Sequence, residues 1–261
     1  MSHPLSASDI LRVWERGQQL HPVDRALFLL AIAHPAVPRE QLARLSVGQR
    51  NELLLSLRES TFGPRLASFA QCSRCGERLE FEFAASHVRL PEAASLAVSN
   101  EAPVEAPGKA TGEVGGTFIE EVAGYTVRFR LPDSYDLAAI ANSADVQSAR
   151  NSLLDRCILS IEQNGEPVER LPLEAEQLLS VHISRADPQA DVQLSLRCPN
   201  CGNEWLLSFD IGSFFWTEIN SLAKRLLREV HTLGRAYGWQ EAEILAMSTA
   251  RRQAYLELVL G

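Results

Sequence analysis

The residues with the clearest chemistry are two pairs of thiols, Cys72-Ser73-Arg74-Cys75 and Cys198-Pro199-Asn200-Cys201, each followed at once by a glycine, Gly76 or Gly202. Two cysteines two residues apart on a tight turn closed by glycine can aim both sulfurs at one cation, and two such turns complete a tetrahedral four-thiolate site. The spacing predicts one structural zinc per chain on Cys72, Cys75, Cys198 and Cys201. A redox dithiol and unliganded thiols are the competing readings. Four thiolates leave no open coordination position, so a catalytic zinc is not expected. The fifth cysteine, Cys157, sits in an apolar run from Leu153 to Leu159 and reads as a buried small hydrophobe.

Such turns need strands to hold them. After the first pair, Leu79, Phe81 and Phe83 alternate with charged residues, and before the second, Val192, Leu194 and Leu196 alternate with polar ones. Both patterns read as strands at a knuckle, the second on a hairpin turn. Because residues 76–197 separate the pairs, one shared site makes the intervening chain an excursion between two halves of a zinc ribbon. The expected fold class is α+β, mostly helical, with a four-cysteine zinc ribbon built from two distant knuckles and short β-hairpins.

The remaining elements follow from caps and periodicity. Residues 1–70 read as a helical region: Ser6 with Asp9 caps a helix that Gly17 stops, Pro22 opens a second, Pro38 a third, and Ser46 with Gln49 a fourth that ends at Phe62-Gly63-Pro64. Leu66 to Phe69 then reads as a turn leading to the first half of the ribbon, residues 71–90. From 91 to 116 there are three prolines, four glycines and no aromatic residue, the composition of a flexible linker or surface loop. A mixed α/β region over 117–190 carries hairpins at Ala123-Gly124 and Asn164-Gly165. The second ribbon half, 191–212, leads into a helical region over 213–261 with a long helix capped by Asp210 or Ser213 and broken at Tyr237-Gly238-Trp239.

Composition narrows the function. With 261 residues and 46% hydrophobic content the chain buries a real core, and its net charge of -8 speaks against a duplex-DNA footprint. Cations near the C-terminus, Arg225, Arg228, Arg235, Arg251 and Arg252, are nearly cancelled by Glu218, Glu229, Glu241, Glu243 and Glu257. The longest apolar stretch, Ala26 to Ala33, is far below the roughly 20 residues of a membrane span, so a soluble cytoplasmic protein is expected. There is no glycine-rich phosphate loop, nucleophile elbow or HExxH helix, and the six histidines are scattered, so no enzyme is expected.

Several stretches in order carry a resemblance: Val13-Trp14-Glu15-Arg16-Gly17, Pro22 to Leu27, the two knuckles, Phe129-Arg130-Leu131-Pro132, Phe215 to Ile219, Arg228 to His231, Ala236 to Trp239, and Glu243-Ile244-Leu245. Together they resemble the T4-type phage baseplate family, the baseplate hub assembly chaperone-like proteins of contractile phage tails and contractile injection systems. The resemblance implies a non-enzymatic assembly or structural protein that binds hub, spike or tube components. A nucleic-acid-associated zinc-ribbon regulator is the alternative. Phe214, Phe215 and Trp216 are consecutive and point around more than half of a helix, which makes them, with Trp239, the expected partner surface.

Overall fold

Capping sets the first helices. Ser6 Oγ accepts the Asp9 N–H and the Asp9 carboxylate accepts the Ser6 N–H, opening α1 (Ala7–Gly17). Pro22 begins α2 (Pro22–Ala33), α3 (Arg39–Ala43) follows Pro38, and the Ser46–Gln49 box opens α4 (Val47–Phe62). A computed structural model describes residues 3–89 and 116–261, so the linker expected over 91–116 lies outside the described residues except for Gly116.

The chain then departs from expectation: Leu66 to Phe69 is no turn but part of strand β1 (Arg65–Gln71), paired antiparallel with β2 (Arg78–Ala84). Leu66 and Ala70 point inward from β1 while Phe69 points out. Both knuckles therefore sit on hairpins. A short α5 (Ala85–Val88) follows. The central region comprises β3 (Thr117–Val122), β4 (Tyr125–Arg130), α6 (Ser134–Ile140), α7 (Val146–Cys157), β5 (Ile158–Gln163), β6 (Glu166–Pro167) and α8 (Leu173–Ala186). Its strands form one antiparallel sheet in chain order. Ala123-Gly124 and Asn164-Gly165 all have positive φ, as two-residue hairpin turns matching strand twist require. The second knuckle hairpin is β7 (Val192–Arg197) with β8 (Glu204–Phe209), and α9 (Ile211–Tyr237), α10 (Glu241–Ala246) and α11 (Thr249–Leu260) complete the chain. The result is an α+β fold with short antiparallel sheets.

Apolar burial divides among three cores. The largest joins α1, α2 and α4 to α9 through Ile10, Val13, Leu29, Leu30, Leu54, Leu57, Phe215 and Ile219, and takes in Leu66 of β1 and Val192 of β7. The second, inside the central region, contains Val122, Val127, Phe129, Leu154, Ile161 and Leu179. The third is a small cluster of Leu233, Ile244 and Leu256, braced by a buried ion pair in which Arg252 Nε lies 3.0 Å from Glu229 Oε2.

Polar contacts join the first two cores at the start of α4. The Val47 N–H donates to the Pro132 carbonyl at 2.9 Å and the Gly48 N–H to Asp187 Oδ2 at 2.9 Å, using donors that the first helical turn leaves free. Gly48 is needed here because a Cβ would collide with the Asp187 carboxylate. Beside this joint, Asp136 is fully buried and accepts from Arg130 Nη1 at 2.5 Å, Arg130 Nη2 at 2.9 Å and Arg156 Nε at 2.9 Å. Burial alone would raise the Asp136 carboxyl, but Arg130 first, then the Asp133 N–H and Arg156, bring it down to about 2. Cys157, at the end of α7, is fully buried as expected; burial and the neighbouring Asp136 carboxylate push its thiol up to about 12. No helix among the described residues is long and apolar enough to cross a membrane.

Candidate metal centre

Each knuckle is made by the same backbone bonds. The Cys72 N–H donates to the Glu77 carbonyl at 2.9 Å and the Gly76 N–H returns to the Cys72 carbonyl at 2.9 Å; the second loop repeats this with Cys198 to Asn203 at 2.8 Å and Gly202 to Cys198 at 2.9 Å. The closing glycines have φ of 76° and 69°, left-handed values that side chains resist. Placing the two loops in register from their Cys-x-x-Cys-Gly cores would have picked out Glu77 and Asn203 as closing residues from sequence alone.

The hairpins face one another and bring the loops together. Cys72 Sγ lies 3.7 Å from Cys201 Sγ, Cys75 Sγ lies 3.6 Å from Cys198 Sγ, and all four sulfurs fall within 4.8 Å of one another. A tetrahedron of thiolates bonded at about 2.3 Å to a central cation has edges of about 3.8 Å, so the four sulfurs can hold one ion. The close pairs run between loops, which is what a shared ion requires and two separate dithiols do not. Asn200 Nδ2 reaches Cys75 Sγ at 3.8 Å, and Asn203 Nδ2 lies 3.5 Å from Ser73 Oγ.

Electrostatics point the same way. The Cys75 N–H is the largest influence on the Cys72 thiol and, with the Arg74 N–H and the thiols of Cys75 and Cys201, brings it down to about 6 against the effect of burial. For Cys201 the Asn203 N–H favours the thiolate, but desolvation and the other three thiols outweigh it and push that group up to about 12. Four sulfurs in this volume cannot all lose their protons unless a cation offsets the mutual repulsion. Cys72 and Cys198 are buried, Cys201 is partly covered and Cys75 is exposed.

The expected partner residues scatter. Phe215 is fully buried and meets Phe62 edge-on at 5.9 Å, so its ring is core and not accessible surface. Phe214 is half-buried between Phe209 and the Arg58 guanidinium. Trp216 is half-buried under Arg25, whose guanidinium carbon lies 4.1 Å from the ring centre, and a Cβ on Gly17 would fall 2.6 Å from that ring. Trp239 lies far along the chain, stacked on Tyr237 at 4.4 Å and edge-on to Tyr255 at 4.8 Å. Sequence reading missed Arg58, almost fully buried, which binds Glu218 through Nε at 2.8 Å and Nη2 at 2.5 Å and donates to the Gly63 carbonyl. Only its position on the apolar side of α4 could have marked it.

Residues 31–216 match the family model described as T4 bacteriophage base plate protein, a span that begins inside α2, contains both knuckles and ends at Trp216. Among curated proteins and among solved structures nothing matches the chain. With most of its length inside that span, including every residue of the four-cysteine cluster and the whole described central region, the chain belongs to the T4 bacteriophage base plate protein family.

Proposed function

We propose that the protein is a non-enzymatic assembly or structural component of the baseplate of a contractile, phage-tail-like injection system, that it binds hub, spike or tube proteins, and that one structural zinc stabilises it. The family match over 31–216 carries the baseplate reading. The cross-loop sulfur spacing supports a single ion. Four sulfurs in a tetrahedron suit zinc or iron, and a closed site with no free position serves folding and not turnover. Bound there, zinc would join segments far apart in sequence, which suits a protein that must present a fixed surface.

The half-buried rings of Phe214, Trp216 and Trp239 are the part of the aromatic set that can meet a partner; Phe215 acts by holding α9 against α4. Deleting the gene and inspecting particles tests the proposal. Loss of assembled baseplates, with sheath and tube proteins still made, is the expected result. Fully contractile particles from the deletion strain would reject it. Capture of hub proteins by a tagged, metal-loaded copy should weaken with Trp216→Ala; unchanged capture moves the contact elsewhere.

A further inference from the structure

The near balance of cations and acids toward the C-terminus does not hold face by face: Arg225 and Arg252 meet Glu229, while Arg228 and Arg235 meet no acid among the described residues. Lys224, Arg228, His231 and Arg235 recur on α9 at i, i+4, i+7 and i+11, so at about 100° per residue they fall within an arc of about 60° and run for about 16 Å. All four are exposed, and none makes a side-chain ion pair or hydrogen bond among the described residues. The two acids of α9 lie away from this arc and are already bound: Glu218 to Arg58, and Glu229 to Arg252 at 3.0 Å and Gln253 at 3.1 Å, with Arg225 at 3.6 Å. An acidic chain thus presents, among its described residues, a basic stripe that neither acid of α9 offsets.

Beside the stripe a shallow groove between α9 and α11 is lined by His231, Thr232, Arg235, Ala236 and Val259. Leu227, one turn before His231, and Leu260, next to Val259, are exposed. A row of three cations and a histidine at helical spacing, flanked by apolar side chains, complements a row of carboxylates at the same spacing flanked by apolar anchors. The stripe lies wholly beyond the family-matched residues.

We propose that this face of α9 docks an acidic, amphipathic segment of a partner polypeptide. The proposal deepens the baseplate reading and rests on it for the partner being a protein. A phosphate backbone would meet the same side chains, but three cations and a histidine, on a chain of net charge -8, are few for nucleic acid.

The test uses the full-length, metal-loaded protein and a fluorescent helical peptide with glutamates at the i, i+4, i+7, i+11 spacing and leucines beside them. Lys224→Glu, Arg228→Glu and Arg235→Glu combined should weaken peptide binding roughly tenfold or more and remove most of its salt dependence. The glutamine counterpart of the peptide should bind poorly to the wild type. Because the three positions are exposed, melting temperature and metal content of the variant should match the wild type. Equal binding by wild type and variant, no binding by either, or tighter binding of a duplex oligonucleotide than of the peptide would overturn the proposal. None of these bears on the deletion-strain experiment, so the baseplate reading stands or falls separately.

Discussion

The paired hairpins are held differently at their two ends. At the base, Leu66 is fully buried, Val192 nearly so, and Phe83, Leu194 and Phe209 pack on the main core, with Phe83 edge-on to Phe209 at 5.4 Å. At the tip the four sulfurs and two long contacts from Asn200 and Asn203 join the hairpins; between tip and base Leu79, Phe81, Leu196, Trp205 and Leu207 are half-buried. Each hairpin alone is a two-stranded sheet, marginal in water unless packed on something. The base is packed on helices, and the tip has only the other tip. Hydrophobic burial holds one end and a cation would hold the other.

The largest effect expected from breaking this contrast is at the tip. Cys198→Ser removes one of the two buried thiols of the cluster proposed to hold the ion, and in small zinc domains the ion supplies on the order of 10 kcal/mol of folding free energy. Metal analysis should fall from one ion per chain to none, and amides of residues 69–80 and 195–206 should lose exchange protection while those of α4 and α9 keep theirs. Global unfolding of the variant would mean that the base does not stand without the tip. Two ions per wild-type chain, or none in freshly reduced protein, would defeat the shared site.

A core change should reverse the pattern. Phe215→Ala opens a cavity between α9 and α4 and should cost about 3–5 kcal/mol. Denaturant unfolding should report that loss with metal content unchanged. Little loss of stability, with hub capture abolished, would return Phe215 to the partner surface.

The joint between the two larger cores should respond to acid. Asp136 sits at about 2 against an ordinary 3.8, so its contribution is fully present above pH 4 and is lost as pH falls through 3.8 toward 2. The amount is about 2 kcal/mol. Asp136→Asn should lower stability at neutral pH and flatten its dependence between pH 4 and pH 2. An unchanged pH profile would place the acid sensitivity elsewhere.

What the sequence made legible was local. The capping boxes of α1 and α4, the Asn-Gly and Ala-Gly turns and the closing glycines involve residues three or four apart, and they stand where expected. The four cysteines were legible for the same reason: each pair declares itself within five residues. Strand β1 was not, because its inward positions include only the small Ser68 and Ala70 beside Leu66, while its largest apolar residue, Phe69, is 67% exposed. That inversion hides the alternation. Nor could neighbours on α9 be sorted: Phe214, Phe215 and Trp216 part company according to Phe209, Phe62 and Arg25, the last two supplied by distant segments. The near balance of charge at the C-terminus misled similarly, since Glu218 and Glu229 turn toward Arg58 and Arg252.

The smallest effect sharpens the comparison of faces within one strand. Leu206 and Leu207 are adjacent on β8, but Leu206 points out and is 67% exposed, while Leu207 is half-buried on the face it shares with Phe209, whose ring meets Phe83 of the other hairpin. Leu206→Ser removes little buried area and should change stability by no more than about 0.5 kcal/mol. Leu207→Ser takes apolar surface from the layer between the hairpins and places a hydroxyl there, so it should cost about 1–2 kcal/mol. With the proposed ion bound, the protein should show this difference in full, because the closed tip keeps the layer intact. In the Cys198→Ser background the two substitutions should converge, since a splayed tip exposes both leucines to water. A gap that persists without metal would mean that the hairpins stay closed by burial alone, and the division between base and tip would have to be abandoned.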